Sequence, residues 1–391
     1  MLDRREGARI VMLLENNPYP QDVRVRLEAL SLNSAGYRVT VVAPRAPGQA
    51  RLESLEGIAV RRFHSIEGKG LLGFLGEYSV AAVRLQMAGL RELLGGADVL
   101  HLHNPPDVFF MLGAIFRAAG RKVVFDHHDL FPETLEIKFG GRLLGRLARA
   151  FEKATFRVAN HVLASNESYA EIAQARGRKR PQEVTVVRNG PPADWLTLRS
   201  VQRPGVLQSI RLGYVGAVSH QDGVEELVPV LSRLQERGIE AHLMVIGDGD
   251  ARQTLEVDMR RHGLSPRLTI TGWTPWERVP ELLGEVDVCV DPAPATAVNE
   301  RSTMIKIAEY LALGKPVVAF DLLETRRTAG DAAILVPPGD PAGLADAIEA
   351  LARQPGRRTE LARLARVRAA TLIWRHSERA LLSAYETVLA N

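Results

Sequence analysis

The sequence predicts an α/β protein built from two doubly wound domains. Its length of 391 residues is more than one hydrophobic core of ordinary size needs. Short apolar runs alternate with amphipathic stretches nearly throughout, the pattern of βαβ units around a parallel sheet. These runs fall into two series, separated by the Pro-rich, aperiodic segment NGPPADWLTLRSVQRPGVLQ. The division places one domain over 1–195 and a second over 206–371. A last helical stretch, Leu372 to Leu389, follows the second series and can pack on either domain, a return of 372–391 to the first among the options. Two such sheets facing each other leave a cleft lined by the carboxyl ends of their strands, where ligands bind.

In the first series strands are expected at Arg9–Leu14, Arg38–Ala43, Val99–His103, Lys122–Asp126, His161–Ala164 and Val184–Val187. The first is a short apolar run that stops at Glu15, which reads as a strand rather than a signal peptide. The following NNPYPQDVRVRLEAL enters a helix with Asp22, Arg24 and Arg26 at its start. Asp22 and Arg24 are candidates for meeting an acceptor there. The alternative is a helix N-terminus stabilised by Asp22.

His101 and His103 share one face of their strand, and packing is the expected role of both. KVVFDHHDLFPE then puts Asp126, His127, His128 and Asp129 at a strand's carboxyl end, groups suited to proton transfer. Neighbours on an extended chain point opposite ways, so one histidine should face the ligand side while the other packs inward. No Glu-x-x-His or His-x3-His companion accompanies them, and no metal is expected. From 141 to 158, GRLLGRLARAFEKATFRV spaces Arg142, Arg146, Arg149, Lys153 and Arg157 along one helical stripe. Such a stripe is either a plain solvated face or a contact with an anionic membrane surface.

The second series runs IRLGYVG, AHLMVIG, RLTITGW, VDVCVDP, PVVAFD and AAILVPP, each followed by a turn and a helix-like segment. Gly216 and Gly247 end its first two strands, where a phosphate can approach the backbone or where a tight turn alone requires glycine. Cys289, the only cysteine, lies in an apolar run and reads as core; it leaves no disulfide and no cysteine-based zinc site. The stretch NERSTMIKIAEYLALGKPVVAFD reads as a helix from Ser302 to Leu313, capped by Ser302 or Thr303 and stopped by Gly314. At about 100° per residue, Ser302, Lys306 and Glu309 share one stripe, opposite Met304, Ile307, Ala308 and Leu311. A helix start welcomes an anion, and a carboxylate further in can hold hydroxyls. An amphipathic helix with a solvated stripe is the alternative.

Composition narrows the functional classes. Fifty Lys and Arg against 46 Asp and Glu leave a net charge of +4, too little for a dedicated nucleic-acid binder. No apolar stretch approaches the ~18–20 residues that span a bilayer. The expected location is cytoplasmic, peripheral to the inner face of the membrane at most.

Together these pieces resemble the retaining glycosyltransferases of family 4, which have the GT-B fold of two Rossmann-like domains across a cleft. The resemblance covers nearly the whole chain. It is strongest in STMIKIAEYLALGKPVVAFD and is supported by PYPQDVRVRLEAL, KVVFDHHDLFPE, VTVVRNG, the LGYVG–DGV loop and RLTITGW. It implies a retaining, metal-independent hexosyltransferase without a cofactor, whose nucleotide-sugar donor is held mainly by the second domain. Glu309 matches the glutamate that binds the ribose. Ser302, Thr303 and Met304 match the amides that hold the diphosphate, and Thr271, Gly272 and Trp273 match the segment beside the base. His128, with Asp129 beside it, matches the histidine near the reacting sugar carbon, and the acceptor enters from that side. A lipid-linked saccharide of surface-polysaccharide assembly is the implied acceptor.

Two departures stand out. Arg301, with Glu300 one place off, occupies the position of the family's first glutamate, and Val218 and Asp222 stand where basic residues are usual. Lys306 is then expected to supply charge to the diphosphate. Two other functions fit the same architecture: a nucleotide-sugar 2-epimerase, and a non-catalytic partner that recruits a membrane complex.

Overall fold

Strand-forming residues of the first half meet in one sheet. The computed structural model describes residues 7–65, 70–140, 142–198 and 203–390. Its first sheet contains β1 (Arg9–Leu13), β2 (Arg38–Pro44), β3 (Leu52–Leu55), β4 (Ile58–Phe63), β5 (Val99–His103), β6 (Lys122–His127), β7 (His161–Ala164) and β8 (Val184–Val186). Their order across the sheet is β3-β4-β2-β1-β5-β6-β7-β8. Every pairing is parallel except β3 with β4. The chain moves from β1 outward to β2 and later returns to pair β5 on β1's other side, which makes the β1/β5 boundary a switch point.

Sequence reading missed β3 and β4. They form a hairpin around Glu56 and Gly57, both at positive φ (51° and 84°), as a two-residue primed turn requires. The alternating LESL and IAVRRF on either side of Glu-Gly carried that signal.

The second sheet is wholly parallel: β9 (Ser209–Val215), β10 (Glu240–Ile246), β11 (Leu268–Ile270), β12 (Val288–Asp291), β13 (Val317–Phe320) and β14 (Ala333–Val336), ordered β11-β10-β9-β12-β13-β14. Its switch point lies between β9 and β12. Both faces are covered: Leu212, Tyr214, Leu231 and Ile348 share one apolar cluster, and Ile307, Leu311, Val317 and Cys289 another. Burial pushes the Cys289 thiol up to about 12, so it is packing and not a nucleophile.

The chain divides into two compact units, one running to Asn189 and resuming at Ser377, the other spanning Gly190–His376. The boundary expected at 195 therefore moves to Asn189, because Trp195 is buried in the second unit's core beside Trp276. Residues 199–202 of the expected connection lie outside the described residues. The final helix is Trp374–Ala390, and beyond Ser377 it belongs to the first unit, where the Tyr385 hydroxyl lies 2.8 Å from His101 Nδ1.

Candidate functional site

In the second unit, three strand-end glycines come together. A Cβ on Gly247 would fall 1.9 Å from the Gly216 carbonyl, and Gly247 forms a bridge with Gly272. Gly216 has φ 138° and a Cβ there would meet the Lys306 chain at 3.2 Å. No larger residue fits at Gly247, and the positive φ of Gly216 and Gly272 favours glycine there.

The helix that follows β12 runs from Ile305 to Ala312, shorter than the Ser302–Leu313 expected. Ser302 is no cap: its hydroxyl and its amide both donate to the Val298 carbonyl, at 2.9 and 3.0 Å, within the preceding turn. The residue at the cap is Met304, without a side-chain bond. The outward amides of the first turn are thus those of Ile305 and Lys306, not Ser302. Gly314, at φ 63°, ends the helix as expected.

Lys306 is not on a solvated stripe. It is buried, and its Nζ donates to Asp222 Oδ1 at 2.8 Å, Tyr214 Oη at 3.2 Å and Asp291 Oδ1 at 3.4 Å. The ammonium also lies 4.6 Å from the Tyr214 ring centre. Burial opposes its charge, but Asp291, Tyr214 and Asp222 together hold it well above the ordinary lysine range. Burial pushes Asp291 upward, and Lys306 offsets part of that. The expectation that Lys306 charge is free for a diphosphate is therefore corrected: two carboxylates already face it.

Glu309 is buried, 7% exposed, and the Trp276 indole N–H donates to its Oε1 at 2.7 Å. Burial pushes this carboxyl upward, with Trp276 and Lys306 opposing. Thr271 and Thr274 pair their hydroxyls at 2.9 Å around Gly272, which has φ 74°. Trp273, in the same turn, is 73% exposed.

In the first unit the hub is Asp126 at the end of β6. Arg24 grips it with two parallel bonds, Nε to Oδ2 at 2.8 Å and Nη2 to Oδ1 at 2.6 Å. His103 Nδ1 lies 3.0 Å and His128 Nδ1 3.2 Å from Asp126 Oδ2. Burial alone would raise Asp126; Arg24 first and His128 next hold it well below the usual carboxylate range. Alternation sorts the histidines as expected. His127 is buried against Phe156 and Tyr169 with Nε2 3.2 Å from Glu152, while His128 keeps 13% of its side chain exposed.

The loop carrying His128 and Asp129 is fixed by Asn104. Its Oδ1 accepts their two amides at 2.8 and 3.1 Å, and its Nδ2 donates to the Asp129 carbonyl at 2.8 Å. Burial pushes the Asp129 carboxyl upward. Asp22 accepts from the Val25 amide at 3.0 Å and caps the Val23–Ser34 helix, which is the alternative reading of that residue. Arg24 is turned inward, so its role toward an acceptor is at most indirect, through Asp126.

Glu28, His101, His103 and Asp126 bring ligand-type atoms within 4.8 Å of one another. Arg24 pairs with both Glu28, at 3.1 Å, and Asp126, at 2.6 Å, and so supplies the cation of this cluster itself. Sequence reading missed Glu28, Asn104, Trp276 and the two carboxylates around Lys306. Only Asn104 carried a sequence signal, in the HNPPD turn that follows β5.

On the helix Arg142–Val158, Leu143 is 81% and Leu147 51% exposed, with Arg146, Lys153 and Arg157 exposed as well. Arg149 instead pairs with Glu136. Among the described residues no helix is long and apolar enough to cross a membrane.

Residues 209–354 match the family model described as glycosyl transferases group 1, and residues 21–190 match the glycosyl transferase 4-like domain. The chain is 31% identical over 151 residues to the alpha-D-kanosaminyltransferase of Streptomyces kanamyceticus, covering 38% of each protein. It therefore spans well under half the length of that relative. It is 26% identical to the phosphatidyl-myo-inositol mannosyltransferase of Mycobacterium leprae over 82% of this chain and 80% of that one. Among solved structures, HepE of Anabaena in complex with UDP-glucose superposes with a TM-score of 0.70 at 16% identity, covering 97% of this chain and 99% of that one.

Proposed function

We propose, on the premise that the chain belongs to the family 4 glycosyltransferases of GT-B fold, that it moves a sugar from a nucleotide donor to a saccharide acceptor. The single observation that carries this reading is the meeting of Gly216, Gly247, the Ile305 helix start and buried Glu309 in one unit. Glycines leave room for phosphate against the backbone, and first-turn amides supply partial positive charge. Thr303, Met304 and the amides of Ile305 and Lys306 border the diphosphate, while Glu309 accepts from the ribose hydroxyls. Thr271, Gly272 and Trp273 flank the base.

Lys306 takes a different part from the one its stripe implied. Its single positive charge, set between Asp222 and Asp291, offsets part of the negative charge that would repel a diphosphate at these strand ends. Helix-start amides then stabilise the growing charge on the leaving diphosphate.

In the first unit His128 and Asp129 serve the reacting end of the sugar. Asp126, kept ionised by Arg24, fixes the orientation of His128. Transfer proceeds with retention at the anomeric carbon and without a divalent metal, and the acceptor is a lipid-linked saccharide. The Mycobacterium relative is named for a lipid acceptor, which supports this acceptor class, and the HepE neighbour was solved with UDP-glucose, which supports a nucleotide-sugar donor. The exposed Leu143 and Leu147 beside three basic residues support docking of that helix on an anionic membrane surface.

The test is incubation with UDP-, GDP-, ADP- and dTDP-sugars and a lipid-linked acceptor panel in chelator, with the product's anomeric configuration read by NMR. A glycoside with the donor's configuration is expected. An inverted product, or an epimerised donor formed without acceptor, overturns the reading.

A further inference from the structure

A second basic feature lies at the amino-terminal end of the first sheet. A cavity of about 510 Å³ opens beside the amino-terminal ends of β1 and β2, lined by Arg9, Arg38, Arg61, Arg91 and Glu92 over a floor that includes Val11. Arg9 and Arg38 are register partners on adjacent parallel strands, so two like-charged side chains leave the sheet from neighbouring positions. Such a pairing is unfavourable unless something between them carries opposite charge.

The protein supplies little of that charge. Arg61 Nε lies 2.7 Å from Glu92 Oε1, which uses the one carboxylate of the lining. Arg9 Nη1 donates to the Gly95 carbonyl, which is uncharged. Arg38 and Arg91 have no side-chain hydrogen bond or ion pair among the described residues. Asp98, the next carboxylate, is engaged by the Arg9 backbone amide and by the Arg121 side chain. Gly57, Gly95 and Ala97 line the same cavity and keep it open.

We propose that this cavity is a second ligand site, distinct from the donor site, and that it binds a polyanion bearing at least two phosphate groups. Guanidinium forks match phosphate oxygens in pairs, and several of them converge here. The volume lies within the ~300–1,000 Å³ of small-molecule sites and exceeds what a lone phosphate fills. A soluble diphosphate ester and the headgroup of a bisphosphate lipid such as cardiolipin share this chemistry.

The test uses the full chain, inorganic pyrophosphate in isothermal titration at low salt, and sedimentation with cardiolipin-containing or pure phosphatidylcholine vesicles. Arg38→Ala and Arg91→Ala remove exposed side chains and should melt as wild type does. Each should weaken pyrophosphate binding about tenfold or more, the loss of a charged hydrogen-bond pair, while Glu309→Ala leaves this component in place. If the two arginine variants also lose selective sedimentation with cardiolipin, the natural ligand is a headgroup. If only the pyrophosphate arm responds, it is soluble. Absence of binding in both arms, or binding equal in wild type and both arginine variants, overturns the proposal.

Discussion

Glu309 owes its reach to Trp276. The indole N–H holds one carboxylate oxygen at 2.7 Å and so leaves the other to a ligand. Glu309→Ala should weaken nucleotide-sugar binding by ~1–3 kcal/mol, the worth of a charged hydrogen bond, read by isothermal titration. Trp276→Phe keeps an aromatic side chain but removes the N–H donor, and a loss of ~0.5–1.5 kcal/mol in the same titration is expected. Asp126 makes a different demand. Asp126→Asn leaves buried Arg24 with Glu28, whose carboxyl burial pushes upward, as its remaining acidic partner, which should cost ~3–5 kcal/mol in a urea unfolding curve. A cost under about 1 kcal/mol would mean that Glu28 alone holds Arg24 and that Asp126 is not the hub.

At the scale of elements, most strands were legible because a buried parallel strand is a short apolar run between turns. The helix at Ile305 was legible in kind and position but not in its start. Ser302 has the chemistry of a cap, and only the turn from Thr296 onward, closed by Ser302 on Val298, takes it away. Lys306 was misread for a related reason: its partners Asp222, Asp291 and Tyr214 come from other strands and loops, which helical periodicity cannot report. The β3–β4 hairpin was missed although Glu56-Gly57 announced it. His127 and His128 were sorted correctly because alternation along a strand is local geometry. For the Arg142–Val158 helix, Leu143→Glu with Leu147→Glu should abolish sedimentation with anionic vesicles without changing the melting temperature. Unaltered sedimentation would return this face to solvent.

For the molecule as a whole, acid and base act on buried carboxyls in opposite directions. Burial, and then Glu77, pushes Glu15 up from 4.5 to about 7. The folded chain therefore holds a proton that the unfolded chain has lost between those values. Glu15's contribution to stability is complete below 4.5 and is lost as the pH rises through 7. Glu15→Gln should accordingly raise the melting temperature at pH 8 by roughly 2–4 °C, the shift of ~1 kcal/mol in a domain of this size, and leave it unchanged at pH 4. A variant that melts like wild type at both pH values would contradict a buried, protonated Glu15.

The central claim is that a nucleoside diphosphate seats on the Ile305 helix start with its ribose on Glu309. Thermal melting of wild type and Glu309→Ala against UDP, GDP, ADP and dTDP tests it most directly. One of the four should stabilise wild type by ~2.7 kcal/mol at a hundred times its dissociation constant, and the variant by clearly less at the same concentration. A wild type indifferent to all four, or an equal shift in both proteins, would contradict it.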